Sequence, residues 1–115
     1  MGDPSTVYYD GGCPVCSREV QFYQGCGGSA SFVWVDVTQA DEAALGSGLT
    51  RDAALARMHL RRADGTIVSG AAAFAEIWWG IHGLRWLGWL LAIPPVGALA
   101  EVSYRVFLRM RRLWR

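Results

Sequence analysis

The segment VYYDGGCPVCSREVQFYQG, Val7 to Gly25, constrains the fold more than any other part of the chain. Thr6 to Asp10 is apolar and β-prone, as a short strand requires, and it ends at Gly11-Gly12. Pro14 suits the first position of a helix, and Gly25 suits the residue just past its end. The segment therefore predicts strand, sharp turn, and a helix from Pro14 to about Gln24, with Cys13 and Cys16 at the joint. SFVWVDV, Ser31 to Val37, predicts a second strand. Two strands joined by a helix cross over right-handed and lie parallel.

Further along, TQADEAALGSGLTRDAALAR contains Ala-rich helical pieces broken at Gly46-Ser47-Gly48, with Thr50 a cap for the second piece. Met58, Leu60, Ile67 and Val68 flank Asp64-Gly65, the strongest short hairpin signal in the chain. Ala71 onward predicts an Ala-rich helix with a large aromatic face. Leu84 to Ile93 predicts an apolar helix stopped by Pro94-Pro95. Val96 to Arg112 predicts a last helix with Leu99, Val102, Val106, Met110 and Leu113 on one stripe. A hairpin added to a parallel pair, with helices on both faces, gives an α/β layer structure. This order is thioredoxin-like: a mixed sheet of about four strands with flanking helices, core about 6–81, and a C-terminal helical extension at about 84–112.

At 115 residues the chain is expected to form a single domain, spanning 1–115. A formal net charge of +1 supplies no global field for nucleic acid, so no nucleic-acid partner is expected. All the positive side chains are arginines, eleven of them. The first residues, MGDPSTVYYD, lack the basic and apolar regions of a secretory signal, so a cytoplasmic location is expected. In a reducing cytosol a structural disulfide is disfavoured, and three cysteines are too few for a disulfide scaffold. The Cys-x-x-Cys then points towards redox catalysis or metal. The apolar run Trp86–Ala100 is shorter than the ~20 residues of a spanning helix and carries two prolines, so no span is expected.

If Pro14 opens the helix, Cys13 sits at or beside its N-cap. There the free N–H groups and the positive end of the dipole favour thiolate, the nucleophilic form. Cys16 lies one turn on, within reach of Cys13. The expected division of labour is attack on a substrate disulfide by Cys13 and resolution of the mixed disulfide by Cys16. Cys13, preceding the helix, is expected to be the more exposed of the two. Gly11 and Gly12 leave a partner room to approach and suit a sharp turn. Asp10 has two readings: a proton acceptor beside the thiols, or a turn-forming carboxylate bonded to its own backbone. The couple itself needs no bound cofactor. Protein or small-molecule disulfides and dithiols are the expected partners, together with a recycling reductant.

A metal half-site is the alternative, and it needs two further ligands. Cys26, His59 and His82 are the candidates, but Cys26 lies about ten residues of helix, or ~15 Å, beyond Cys16. An inert buried pair is the third reading. The corresponding rival function is a metal-binding or redox-sensing module without turnover.

DGGCPVC, Asp10 to Cys16, resembles the Asp-Gly-x-Cys-x-x-Cys signature of the DCC thiol-disulfide oxidoreductases, a family of small, mostly bacterial proteins. ALARMHLRRADGTIVSGAAAFAEIW and LAEVSYRVFLRMR resemble the same family, so the likeness runs from about Val7 to Arg111. It implies a thioredoxin-like fold and dithiol-disulfide exchange, with Asp10, Cys13 and Cys16 as the signature residues and Pro14 and the glycines shaping the turn. Thioredoxins carry a cis-proline in the loop that docks the substrate backbone. Here that position falls at Arg57-Met58 and holds no proline.

Five of the six tryptophans lie from Trp78 onward. Trp78, Trp79, Trp86 and Trp89 are expected to pack on the core and on neighbouring helices. Arg105, Arg109 and Arg112 form a basic stripe on the last helix, widened by Arg111 and Arg115, and a solvated face is the expectation. The alternative for both features is peripheral membrane contact.

Overall fold

The computed structural model of the chain describes residues 5–28, 32–81 and 83–113. The first strand, β1 (Ser5–Tyr9), leads through the turn at Asp10–Gly12 into α1 (Pro14–Gln24). Proline occupies the start of α1, and the Gly25 N–H closes its end on the Gln21 and Phe22 carbonyls. β2 (Phe32–Asp36) returns parallel to β1, with Val7 opposite Trp34 and Tyr9 opposite Asp36. Two short helices follow, α2 (Glu42–Leu45) and α3 (Arg51–Ala56). The Asp41 and Thr50 side chains cap them, accepting the Ala44 and Ala53 N–H groups. Between them Gly46 and Gly48 hold φ of 77° and 80°, which bars a continuous helix.

β3 (His59–Arg61) and β4 (Ile67–Ser69) form the hairpin expected around Asp64-Gly65. Its loop is longer than a two-residue turn: the Arg62 N–H donates to the Thr66 carbonyl, with Gly65 at φ 92°. β3 adds antiparallel to the free side of β1, giving the sheet order β2-β1-β3-β4. This mixed α/β arrangement is the thioredoxin-like fold expected from the element order.

The central strand alternates between two cores. Val7 joins Val20 and Tyr23 of α1, Met58, Leu60, and Ala73 and Ile77 of α4 (Ala71–Gly80). Tyr8 points the other way, to Val37, Leu45, Leu49 and Ala54. The period-2 geometry of a strand produces this split, and it leaves β1 buried on both faces.

The C-terminal third departs from expectation. α5 (Arg85–Leu91) and α6 (Pro94–Met110) are joined at a bend of 97°. Pro94 and Pro95 do more than stop α5: they form the first turn of α6, where a missing N–H costs nothing. A 3₁₀ turn, Arg111–Leu113, follows α6. Of the tryptophans expected to pack, Trp78 does, donating its indole N–H to the Tyr23 hydroxyl at 2.7 Å. Trp79, Trp86 and Trp89 are exposed instead. So are Leu99, Val102, Val106, Met110 and Leu113. α6 is held by its other side. Glu101 pairs with Arg57 at 2.6 Å, and the Tyr104 ring packs edge-on against Phe74.

Candidate active site

Cys13 is the N-cap of α1, with extended backbone (φ −93°, ψ 118°), and Cys16 lies within the first turn. The Cys13 N–H donates to the Asp10 carbonyl at 3.2 Å, and its own carbonyl accepts the Ser17 N–H at 2.9 Å. The Cys13 sulfur makes no capping hydrogen bond. The two thiols are free and lie close together.

Their exposure is the reverse of the order expected. Cys13 is 0% exposed, whereas Cys16 is partly exposed. Position before a helix does not by itself place a residue in solvent. The bond from the Cys13 N–H to Asp10 draws residue 13 back onto the end of the central strand. Burial pushes the Cys16 thiol up to about 12, and the adjacent Cys13, by hydrogen bond and charge, pushes it the same way. Arg111 opposes both by charge and hydrogen bonding.

Arg111 was expected on an exposed stripe, yet it is buried, 8% exposed. The 3₁₀ turn directs its guanidinium back across the site. Nη2 donates to the Leu55 carbonyl at 2.5 Å and the Ala56 carbonyl at 3.2 Å, and Nη1 lies 3.7 Å from Asp10 Oδ2. Asp10, also buried, accepts the Gly12 N–H on Oδ1 at 2.9 Å. Its carboxylate thus shapes the turn with one oxygen and faces the guanidinium with the other.

Gly11 acts differently from expectation. Neither Gly11 nor Gly12 has positive φ. A Cβ on Gly11 would stand 2.0 Å from Asp36 Oδ2, so the missing side chain makes room for a residue of this protein. Asp36 Oδ1 accepts the Gly11 N–H at 3.1 Å, and the Thr38 N–H and hydroxyl at 3.0 and 2.6 Å. The Ser17 hydroxyl holds the Gly11 carbonyl from the helix side at 2.9 Å. Gly12 and Pro14 are exposed on the rim.

Arg57 and Met58, the expected docking loop, lie between α3 and β3. Several backbone groups around them already have partners. The Met58 N–H donates to the Tyr104 hydroxyl at 2.7 Å, and the Leu55 and Ala56 carbonyls accept from Arg111. Arg57 forms a two-oxygen pair with Glu101 and lies 5.6 Å from the centre of the Tyr104 ring. The C-terminal helix therefore occupies this loop from within.

Among the described residues no three His, Cys, Asp or Glu side chains gather as a metal site. The Cys26 thiol donates to the Phe22 carbonyl, and His59 Nδ1 lies 2.8 Å from the Arg57 carbonyl. His82 lies outside the described residues, as do Trp114 and Arg115. Sequence reasoning passed over Asp36, Tyr104 and the inward turn of Arg111. Asp36 carried one usable signal, a carboxylate ending an otherwise apolar strand. For Arg111 the hint was its place off the i, i+4, i+7 row of the other arginines.

Comparison with known proteins places this geometry in context. The family model described as DCC1-like thiol-disulfide oxidoreductase matches residues 7–115. An uncharacterized chloroplastic protein of Arabidopsis thaliana is 30% identical over 107 residues. The match covers 91% of this chain and 50% of that protein, so the chain spans about half its relative's length. No solved structure matches the chain.

Proposed function

The chain belongs to the DCC1-like thiol-disulfide oxidoreductase family, and from that premise we propose that Cys13 and Cys16 form a working dithiol-disulfide couple. The observation that carries this reading is the close Cys13–Cys16 pair at the start of an eleven-residue helix.

In the forward exchange, the Cys13 thiolate attacks one sulfur of a substrate disulfide. A Cys13–substrate bond forms, the substrate S–S bond breaks, and the first substrate thiolate leaves and takes a proton. Cys16 then gives up its proton and attacks Cys13 Sγ. The Cys13–Cys16 disulfide closes and the second substrate thiolate departs. The substrate gains two electrons and the protein loses two. A dithiol or thiol donor must return them, and the potential of the couple sets which direction prevails.

The N-cap position favours Cys13 as nucleophile, since the helix dipole stabilises an anion there. The high pKa of Cys16 suits a thiol that keeps its proton until resolution. Resolution then requires a base, and Asp10 is the carboxylate of the turn that fits the task, with Arg111 facing both groups. Because Cys13 is buried, attack requires local opening around it.

Trapping assigns the two sulfurs. Cys16→Ser should accumulate a mixed disulfide with a model disulfide through Cys13, whereas Cys13→Ser should not. Accumulation only in Cys13→Ser would exchange the roles, and accumulation in neither would end the redox reading.

A further inference from the structure

The two sides of α6 carry unlike chemistry, and the apolar side is the one left uncovered. Glu101, Tyr104 and Arg111 turn inward and make the contacts described above. Leu99, Val102, Val106, Met110 and Leu113 turn outward, with Leu99 and Leu113 68% and 82% exposed. At about 100° per residue these five side chains fall within an arc of roughly 80°, and they run ~21 Å along the axis. A continuous strip of large apolar groups on an outer face marks an interaction surface.

Charge selects the occupant. Arg105, Arg109 and Arg112 border the strip along one side. Arg105 is paired with Glu101, while Arg109 and Arg112 have no ion-pair or hydrogen-bond partner among the described residues. Beyond Glu101 the sequence holds no acidic residue. A second copy of the chain would present the same face and offer these arginines no carboxylate. An anionic bilayer offers phosphates beside apolar depth, matching both halves of the surface. No single described helix is long and apolar enough to cross a membrane; α5 and α6 reach that length and apolarity only as a pair bent by 97°. Trp86 and Trp89 on α5 are also exposed, and indoles favour the headgroup boundary.

We propose that α6 docks flat on anionic lipid surfaces through this strip and its arginine border. The inward side of the same helix end delivers Arg111 to the dithiol. A docked protein would hold that site about one helix diameter, ~10 Å, from the lipid. The proposal stands independently of the redox chemistry.

The test is co-sedimentation of the full chain with phosphatidylcholine vesicles, with and without phosphatidylglycerol, alongside tryptophan emission. Wild type should bind the anionic vesicles with a blue-shifted emission, weaken as salt rises, and bind neutral vesicles poorly. Arg109→Gln and Arg112→Gln should each weaken binding by about fivefold. Leu99→Ser/Val106→Ser, confirmed as folded by circular dichroism, should abolish it. Absence of binding by wild type, or binding that ignores the Leu99/Val106 substitutions, overturns the proposal. So does self-association without vesicle binding that those substitutions remove, because the face would then be an interface between copies.

Discussion

Arg111 Nη1 lies 3.7 Å from Asp10 Oδ2, which ties the turn after the last helix to the end of the first strand. Both side chains are nine-tenths or more buried. The guanidinium also satisfies two carbonyls of the segment before β3 and faces Cys16, so one side chain joins three parts of the fold around the dithiol.

Arg111→Met removes the cation but retains much of the bulk. It removes the guanidinium from beside a buried carboxylate and the donor from two carbonyls. A loss of about 3 kcal/mol of stability is expected in urea unfolding, within the range for breaking a buried pair. The Cys16 thiol loses the one group that lowers its pKa. Closure of the Cys13–Cys16 disulfide should therefore slow severalfold near neutral pH, because less of the Cys16 thiol is ionised. Stopped-flow closure across a pH series separates this from a purely structural effect, because the pH profile itself should move upward.

Gly11→Ala places a methyl group 2.0 Å from a carboxylate that the Gly11 N–H and two Thr38 donors hold in place. Either the turn or Asp36 must move, at a cost of about 2 kcal/mol in denaturant unfolding. Asp36→Ala should relieve part of that cost in the double variant. Strict additivity would show that the clash is not the cause.

Cys16 should resist iodoacetamide at pH 8 in the folded protein, read by peptide mapping to separate it from Cys26. Its folded pKa is raised, to about 12, above the ordinary thiol value. A raised pKa contributes stability that is fully present below the unfolded value, ~8.5, and lost as pH climbs through the folded one. Stability should consequently decline between about pH 9 and 12, and less steeply in Cys16→Ala. Rapid labelling at pH 8 would contradict this environment.

Tyr104→Phe removes the acceptor of the Met58 N–H. An unpaired donor in this loop should cost about 1–2 kcal/mol. If the freed N–H then serves an incoming substrate backbone, peptide disulfides should gain in exchange rate over small-molecule disulfides. Equal change for both substrates would leave Tyr104 a structural contact only.

His59 is half-buried, and burial lowers its pKa, opposed by the hydrogen bond to the Arg57 carbonyl. The unfolded chain thus takes up the proton first as pH falls. Stability should decline below about pH 6.5, and His59→Gln should flatten that part of the profile in thermal melts.

Local chemistry made the front of the chain legible. Pro14 at the start of α1, Gly25 at its end, the Thr50 cap and the Asp64-Gly65 hairpin act over a few residues, and each appears where the sequence places it. The position of Cys13 at the N-cap with Cys16 one turn on follows from the same short-range rules. The sheet order followed as well, because a crossover helix and a hairpin each admit few arrangements.

What the sequence by itself determined was the set of elements and the pairing of residues along each one. Only the tertiary structure decided which way each face turned. Periodicity put Leu99, Val102 and Val106 on a common stripe of α6, but it does not say whether that stripe or its opposite meets the core. Glu101, Tyr104 and Arg111 settled it, because their partners at Arg57, Met58 and Asp10 lie more than forty residues away in sequence. The inward turn of Arg111 has the same origin: it depends on contacts between distant segments, and no local pattern encodes it.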